Sequence, residues 1–236
     1  MAAIATQLAA VRERIAVACA RADRRPESVR LLAVSKTYGP DAVSEAFAAG
    51  QRCFGENRVQ EAAAKIPECP GQVEWHLVGH LQSNKAALAA RLFDWIHSVD
   101  SAKLLTTLER HAGDAGRRLN VLIQVNVSGE RVKSGLPPAA VPEVLALANT
   151  LSNVQVCGLM TMPPLSADPE KARPFFRQLR GLRDQWAAEL KFDLPELSMG
   201  MTHDLEIAVE EGATWVRVGT AIFGPRPCAL RPLEET

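Results

Sequence analysis

A closed (β/α)8 barrel is the fold class that this sequence predicts, on three observations. Short apolar, β-rich runs alternate with helical stretches along most of the chain. There are eight such runs, the number that closes a parallel barrel. The length, 236 residues, is close to the usual size of that fold. Strict alternation implies crossover connections, and crossovers make neighbouring strands parallel. A doubly wound open sheet is the alternative that the same alternation allows.

The elements follow in order. "MAAIATQLAAVRERIAVACARADRR" is periodic and charged, and predicts an amphipathic helix over about residues 1–24 rather than a signal peptide. "VRLLAVS" is the first strand, a buried run ended by the turn signal Gly39-Pro40. "RCFGE", "VEWHLVG", "WIHSVD" and "LNVLIQVN" continue the series, and "VQVCGLMTM", "ELSMG" and "WVRVG" complete it. Between them, "DAVSEAFAAG", "NRVQEAAAKI", "SNKAALAARL", "AKLLTTLERHAG", "PPAAVPEVLALANT", "PEKARPFFRQLRGLRDQWAAEL" and "HDLEIAVEEG" carry helical composition. Asp168-Pro169 reads as an N-cap with a first-turn proline, and Gly50 and Gly212 read as helix stops. No Pro/Gly/Ser-rich linker interrupts the pattern, so one domain is expected over residues 1–236, with the barrel at about 29–224. The proline-rich tail "PRPCALRPLEET", residues 225–236, is expected to lie over the surface or fray.

Composition narrows the function. Twenty-seven basic residues balance 27 acidic ones, which argues against a broad electrostatic footprint for nucleic acid or an anionic membrane. No apolar run is long enough to span a bilayer. The five cysteines are scattered without a C-x-x-C pair, and with no secretion signal a reduced, cytoplasmic setting is expected.

Barrel enzymes gather reactive groups at the C-terminal ends of their strands, with phosphate sites commonly after the seventh and eighth. That rule selects Lys36, Glu56 with Asn57, Gly79 with His80, Asn126 with Ser128, Met160, Ser198, and Arg217 with Gly219 and Thr220. In "RVGTAIFG", Gly219 admits close backbone approach, Thr220 offers a hydroxyl and an amide, and "AIFG" can open a short helix toward an anion. Ser198 would add a hydroxyl. An ordinary strand-to-helix turn explains the same residues. Lys36 at a strand end is partly desolvated, which favours the neutral amine that condenses with a carbonyl. A snorkelling surface lysine is the alternative. First and last strands are neighbours in a closed barrel, so Lys36 and the Gly219 region together suit a ligand with an aldehyde at one end and a phosphate at the other. Pyridoxal 5′-phosphate has that layout.

Other signals are weaker. His76 and His80 in "HLVGH" are spaced like zinc ligands on a helix, but the segment reads as a strand and lacks the H-E-x-x-H glutamate, so no metal is expected. "NVS" at Asn126 matches a glycosylation sequon without a secretion signal to give it meaning. No G-x-S-x-G, G-x-x-x-x-G-K-[ST] or G-x-G-x-x-G motif is present. Arg131 and Lys133 in "SGERVKSG" read as a solvated loop, with a guard of the barrel mouth as the alternative.

"AVSKT", "FGENRVQE", "EWHLVGHLQSNK", "VNVSGERVKSG", "SMGMTHDLE" and "VRVGTAIFG" resemble, in order from about Leu31 to Gly224, the signature segments of the pyridoxal phosphate homeostasis proteins. The resemblance implies an alanine-racemase-like barrel that holds pyridoxal phosphate covalently as a carrier or buffer. It implies Lys36 as the Schiff-base lysine and Ser198, Gly219 and Thr220 as the phosphate site. Asn57 would lie near the cofactor ring, and Arg217 beside the ring or the phosphate. Two positions depart from the family's pattern: Tyr38, two residues past Lys36, and "MTHD", where Thr202 is expected to cap a helix whose positive end suits Asp204.

A weak racemase-like enzyme is the alternative function, since carrier and racemase would share these binding residues. Racemases of the related fold use a second acid/base, a tyrosine from a partner subunit, and an extra β-domain for which this chain is short. The one tyrosine, Tyr38, lies on the lysine's own loop. Should Arg217 face the pyridine nitrogen, it can only donate, and the ring stays a poor electron sink. A cofactor-free Schiff-base aldolase with Lys36 as nucleophile is the third reading. A monomer is expected, with cofactor-free pyridoxal phosphate enzymes as conceivable recipients.

Overall fold

The computed structural model describes residues 2–130 and 134–225. Arg131, Lys133 and the tail beyond Pro225 lie outside the described residues. Eight parallel strands close on themselves in sequence order, β1 (Arg30–Val34), β2 (Cys53–Glu56), β3 (Glu74–Leu77), β4 (Trp95–Val99), β5 (Leu119–Gln124), β6 (Val154–Met160), β7 (Glu196–Met201) and β8 (Trp215–Val218). Every strand expected from the sequence is present, shortened by no more than two residues at an end.

The helices form the outer layer: α1 (Ala2–Arg21), α2 (Pro40–Ala48), α3 (Val59–Lys65), α4 (Ala86–Leu92), α5 (Ala102–Asp114), α6 (Val141–Ala148), α7 (Arg173–Leu190), α8 (Leu205–Glu210) and α9 (Thr220–Phe223). Several expected helices begin or end in a short 3-10 turn, at Ile66–Glu68, Ser83–Lys85, Pro138–Ala140 and Pro169–Ala172. Asp168 accepts from the Glu170 N–H at 3.0 Å and so caps the last of these turns. Gly50 and Gly212 end their helices at φ of 86° and 100°, values that side chains resist. In α1, Leu8, Val11, Ile15 and Ala18 form one buried stripe, laid against α8 and α9. The expected Thr202 cap is corrected: α8 starts after Asp204, whose Oδ1 turns back to accept from the Met201 N–H at 2.6 Å.

Alternation along the strands divides the apolar side chains into two cores. Ala33, Phe54, Ile96, Leu159 and Val216 point outward and pack beneath the helices. Leu32, Val34, Trp95, Leu122, Met160 and Trp215 point inward and fill the barrel. Both faces are apolar, as expected of a parallel sheet covered by helices. The barrel axis is not wholly apolar, however. His76, His97, Ser198 and Arg217 share its interior with the tryptophans, and all four are buried.

Candidate functional site

Strand pairing decides which strand ends meet. β8 pairs with β1, with Ala33 opposite Val218, so Gly219 comes level with Val34. A Cβ built on Gly219 would lie 3.1 Å from the Val34 carbonyl oxygen. A side chain here would press on that oxygen, and the first strand would have to give by a few tenths of an ångström. Lys36 is two residues beyond Val34, half-buried in the turn after β1, where Thr37 sits at φ 70°. Leu32 and Val34 face the barrel interior, and Lys36 follows in the turn, beyond the reach of strand alternation. Thr220, exposed, opens the single turn α9, whose first N–H groups have no carbonyl partner within the helix. The turn that carries Lys36 and the turn of backbone amides after Gly219 thus follow neighbouring, paired strands on the same end of the barrel, its mouth.

Two further contacts shape that mouth. Tyr38 Oη donates to the Gly224 carbonyl at 2.7 Å, and its ring lies 5.1 Å from that of Phe223. Tyr38 therefore staples the β1 loop to the end of α9. Asn57, half-buried after β2, touches the loop after β3 through its backbone. A Cβ on Gly79 would fall 2.1 Å from the Asn57 carbonyl oxygen, so only glycine permits this contact without movement.

Arg217 projects into the barrel beneath this mouth. Its Nη1 donates to Ser198 Oγ at 2.6 Å and its Nη2 to the Thr161 carbonyl at 3.0 Å. Burial lowers its pKa to about 10, with the Asp204 carboxylate acting the other way. It remains a cation at neutral pH.

Ser198 stands elsewhere than expected. The register sets it opposite Trp215, four residues short of Gly219, which is ~13 Å of strand. It is fully buried, and its hydroxyl lies between Arg217 and His97 rather than in the turn formed by Gly219 and Thr220. Ser198 lies three residues before the end of β7, and β-strand alternation with a register shift between Ser198 and Met201 decides which residue of this strand reaches the rim.

The remaining candidates are occupied locally. Glu56 is buried on the outer side of β2, accepting from Ser35 Oγ at 2.6 Å and from Lys65 Nζ at 2.7 Å. Lys65 also donates to the Ser35 carbonyl at 2.8 Å. Asn126 holds its own loop, with Nδ2 donating to the Glu130 carbonyl at 2.9 Å and Oδ1 accepting from Ser128 and Gly129. His80, beyond the end of β3, faces Asp100 at 3.2 Å, while His76 points into the barrel, so the two histidines do not share a site.

Among the described residues, one cluster of metal-type donors was not anticipated. Cys53, Glu74 and His76 bring donor atoms within 4.8 Å of one another near the N-terminal end of the barrel. They already serve one another: the thiol donates to Glu74 Oε1 at 3.5 Å, and His76 Nε2 lies 2.7 Å from the same oxygen. Burial and the Glu74 carboxylate push the Cys53 thiol up to about 12.

The sequence profile of the alanine racemase N-terminal domain matches residues 6–227. A pyridoxal phosphate homeostasis protein of Pseudomonas aeruginosa is 45% identical over 227 residues, 96% of this chain and 97% of that protein. The chain belongs to the pyridoxal phosphate homeostasis protein family. The Aquifex aeolicus homeostasis protein is 44% identical over 93% of this chain and 97% of its own length. Among solved structures, PipY of Synechococcus elongatus with pyridoxal phosphate bound superposes with a TM-score of 0.82 at 43% identity, covering 94% of this chain and all of that one. These relatives match this chain over nearly their whole length.

Proposed function

We propose that this protein binds pyridoxal 5′-phosphate at the barrel mouth and serves vitamin B6 homeostasis, with Lys36 as the covalent attachment point. The observation that carries the reading is the β1–β8 pairing, by which the Lys36 turn and the Gly219–Thr220 turn follow neighbouring strands, with a buried arginine on β8. The donor set fits the cofactor. A half-buried amine suits its aldehyde, the backbone amides after Gly219 suit its phosphate, and Arg217 offers a fixed cation beneath. When bound, the cofactor supplies an electrophilic carbonyl and an aromatic ring. Asn57 would border the ring. Ser198 acts through Arg217, holding the guanidinium, rather than on the phosphate.

A holding role suits these residues better than a committed reaction. Tyr38, the chain's one tyrosine, directs its hydroxyl at the Gly224 carbonyl. Arg217 can donate but not accept, so it does not help protonate a ring nitrogen. A cytoplasmic, monomeric protein passing cofactor to enzymes that lack it fits this reading. No helix among the described residues is long and apolar enough to cross a membrane.

Borohydride reduction of the loaded protein, followed by peptide mass spectrometry, tests the assignment. The phosphopyridoxyl mass is expected on Lys36, and Lys36→Ala is expected to lose covalent attachment while keeping part of the phosphate-driven affinity. Label on another lysine, Lys65 included, or an unlabelled wild type, would overturn it.

A further inference from the structure

A chain of hydrogen bonds runs through the barrel interior from Arg217 to the opposite face. Arg217 Nη1 reaches Ser198 Oγ at 2.6 Å, and Ser198 Oγ lies 2.9 Å from His97 Nδ1. His97 Nε2 lies 2.9 Å from His76 Nδ1, and His76 Nε2 lies 2.7 Å from Glu74 Oε1. The links join β8, β7, β4 and β3. Ser198, His76 and His97 are fully buried, walled by Trp95 and Trp215, and only Glu74 is part-exposed.

With both imidazoles neutral, the carboxylate end fixes the direction of every hydrogen as far as Ser198. A guanidinium only donates and an ionised carboxylate only accepts. A neutral His97 that carries its hydrogen on Nε2 accepts at Nδ1, so Ser198 passes its hydroxyl hydrogen there. His97 then donates from Nε2 to His76 Nδ1, and His76 from Nε2 to Glu74. The reverse arrangement would set the His76 Nε2 lone pair against the carboxylate. The shifts in acidity agree. Burial lowers both imidazoles, so they are neutral, and the bond from His76 holds Glu74 below the usual carboxylate range.

We propose that Glu74, His76, His97 and Ser198 form a one-directional relay through which a carboxylate on the N-terminal face of the barrel fixes Arg217 beneath the cofactor site. Aligned donors polarise one another, so the negative end makes Ser198 Oγ a better acceptor for Arg217. Glu74 and the three others are positioning residues. The charged and titratable neighbours of the Glu74–His76 end are Cys53 on β2, Arg30 on β1 with its ion-pair partner Glu196 on β7, and Asp94 before β4. Asp204 is the acid nearest in charge to the Arg217 end. The tautomer assignment is independent of the ligand; the effect on binding rests on the pyridoxal phosphate reading.

Two measurements test the relay. In 15N spectra of the cofactor-free protein at neutral pH, His76 and His97 are expected to be neutral with hydrogen on Nε2. An Nδ1 hydrogen or an imidazolium on either ring overturns it. The second is pyridoxal phosphate affinity of Glu74→Gln, whose amide oxygen still accepts from His76 while the charge is gone. Removing a negative charge by itself favours an anionic ligand, so weakening is the relay's signature. Glu74→Gln is expected to bind about tenfold more weakly, with Glu196→Gln, outside the chain, unweakened. Equal affinity in Glu74→Gln and wild type, or equal loss in both variants, overturns the relay. A wild type that fails to bind would instead remove the cofactor reading and leave the histidine spectra to decide.

Discussion

Replacing Lys65 by methionine isolates a buried charge that lies next to the loop after β1 without belonging to the proposed site. Lys65 is 8% exposed and Glu56 0%. The ammonium satisfies one carboxylate oxygen and the Ser35 carbonyl, at 2.7 and 2.8 Å. The second oxygen, Glu56 Oε2, is buried without a partner among the described residues. Lys65→Met keeps the volume and the aliphatic contacts but strands the carboxylate, at a cost of about 3–5 kcal/mol. For a chain of this size each kcal/mol lowers Tm by about 2–4 °C, so a fall of about 6–20 °C is expected. Adding Glu56→Leu removes the stranded charge, and the double variant is expected to melt above the single one. Differential scanning calorimetry with borohydride labelling reads both consequences. Tm falls, yet cofactor still attaches to Lys36 in the folded fraction. A fall of less than about 3 °C, or a double variant no better than Lys65→Met, would refute the buried-pair argument.

Two other expectations concern acid and thiol chemistry. Glu211 is buried beneath α7, with Arg177, Arg173 and Arg180 at 2.9, 3.1 and 3.3 Å. Burial alone would raise its pKa, but the Arg177 and Arg173 guanidiniums outweigh it and lower the value. Its stabilising contribution is therefore present above about pH 4.3 and is lost as pH falls through the lower, folded value. Glu211→Gln should melt earlier at pH 7 and lose less between pH 5 and 3 than wild type, and parallel Tm curves would contradict this. Cys53, pushed to about 12, should be alkylated at pH 8 about a thousandfold more slowly than an ordinary thiol. Time-resolved iodoacetamide labelling with peptide mapping checks it, and a rate within tenfold of a free cysteine would contradict the assigned environment.

The strands were legible because a parallel sheet buried on both sides writes itself as continuous apolar runs, "RLLAV" and "NVLIQV" among them. The same property hid the interior. When both faces of a strand are apolar, composition does not reveal which residues point into the barrel. His76 and His97 accordingly read as packed or unremarkable positions, although "EWH" and "WIH" repeat an aromatic and a histidine on neighbouring strands. Lys65 read as one more residue of a helical segment, since nothing local marks a lysine that will meet Glu56 nine positions earlier.

The order of elements, the closing number of strands, Lys36 after the first and Gly219-Thr220 after the last follow from local pattern and spacing. These properties are written in consecutive residues. Depth and partnership belonged to the tertiary structure alone. Register lowered Ser198 from the rim to the level of Trp215, and closure brought His97 to a serine 101 residues away. Hydrogen bonds between inward side chains of different strands depend on strand tilt and stagger around the ring. Those quantities exist only once the sheet has closed.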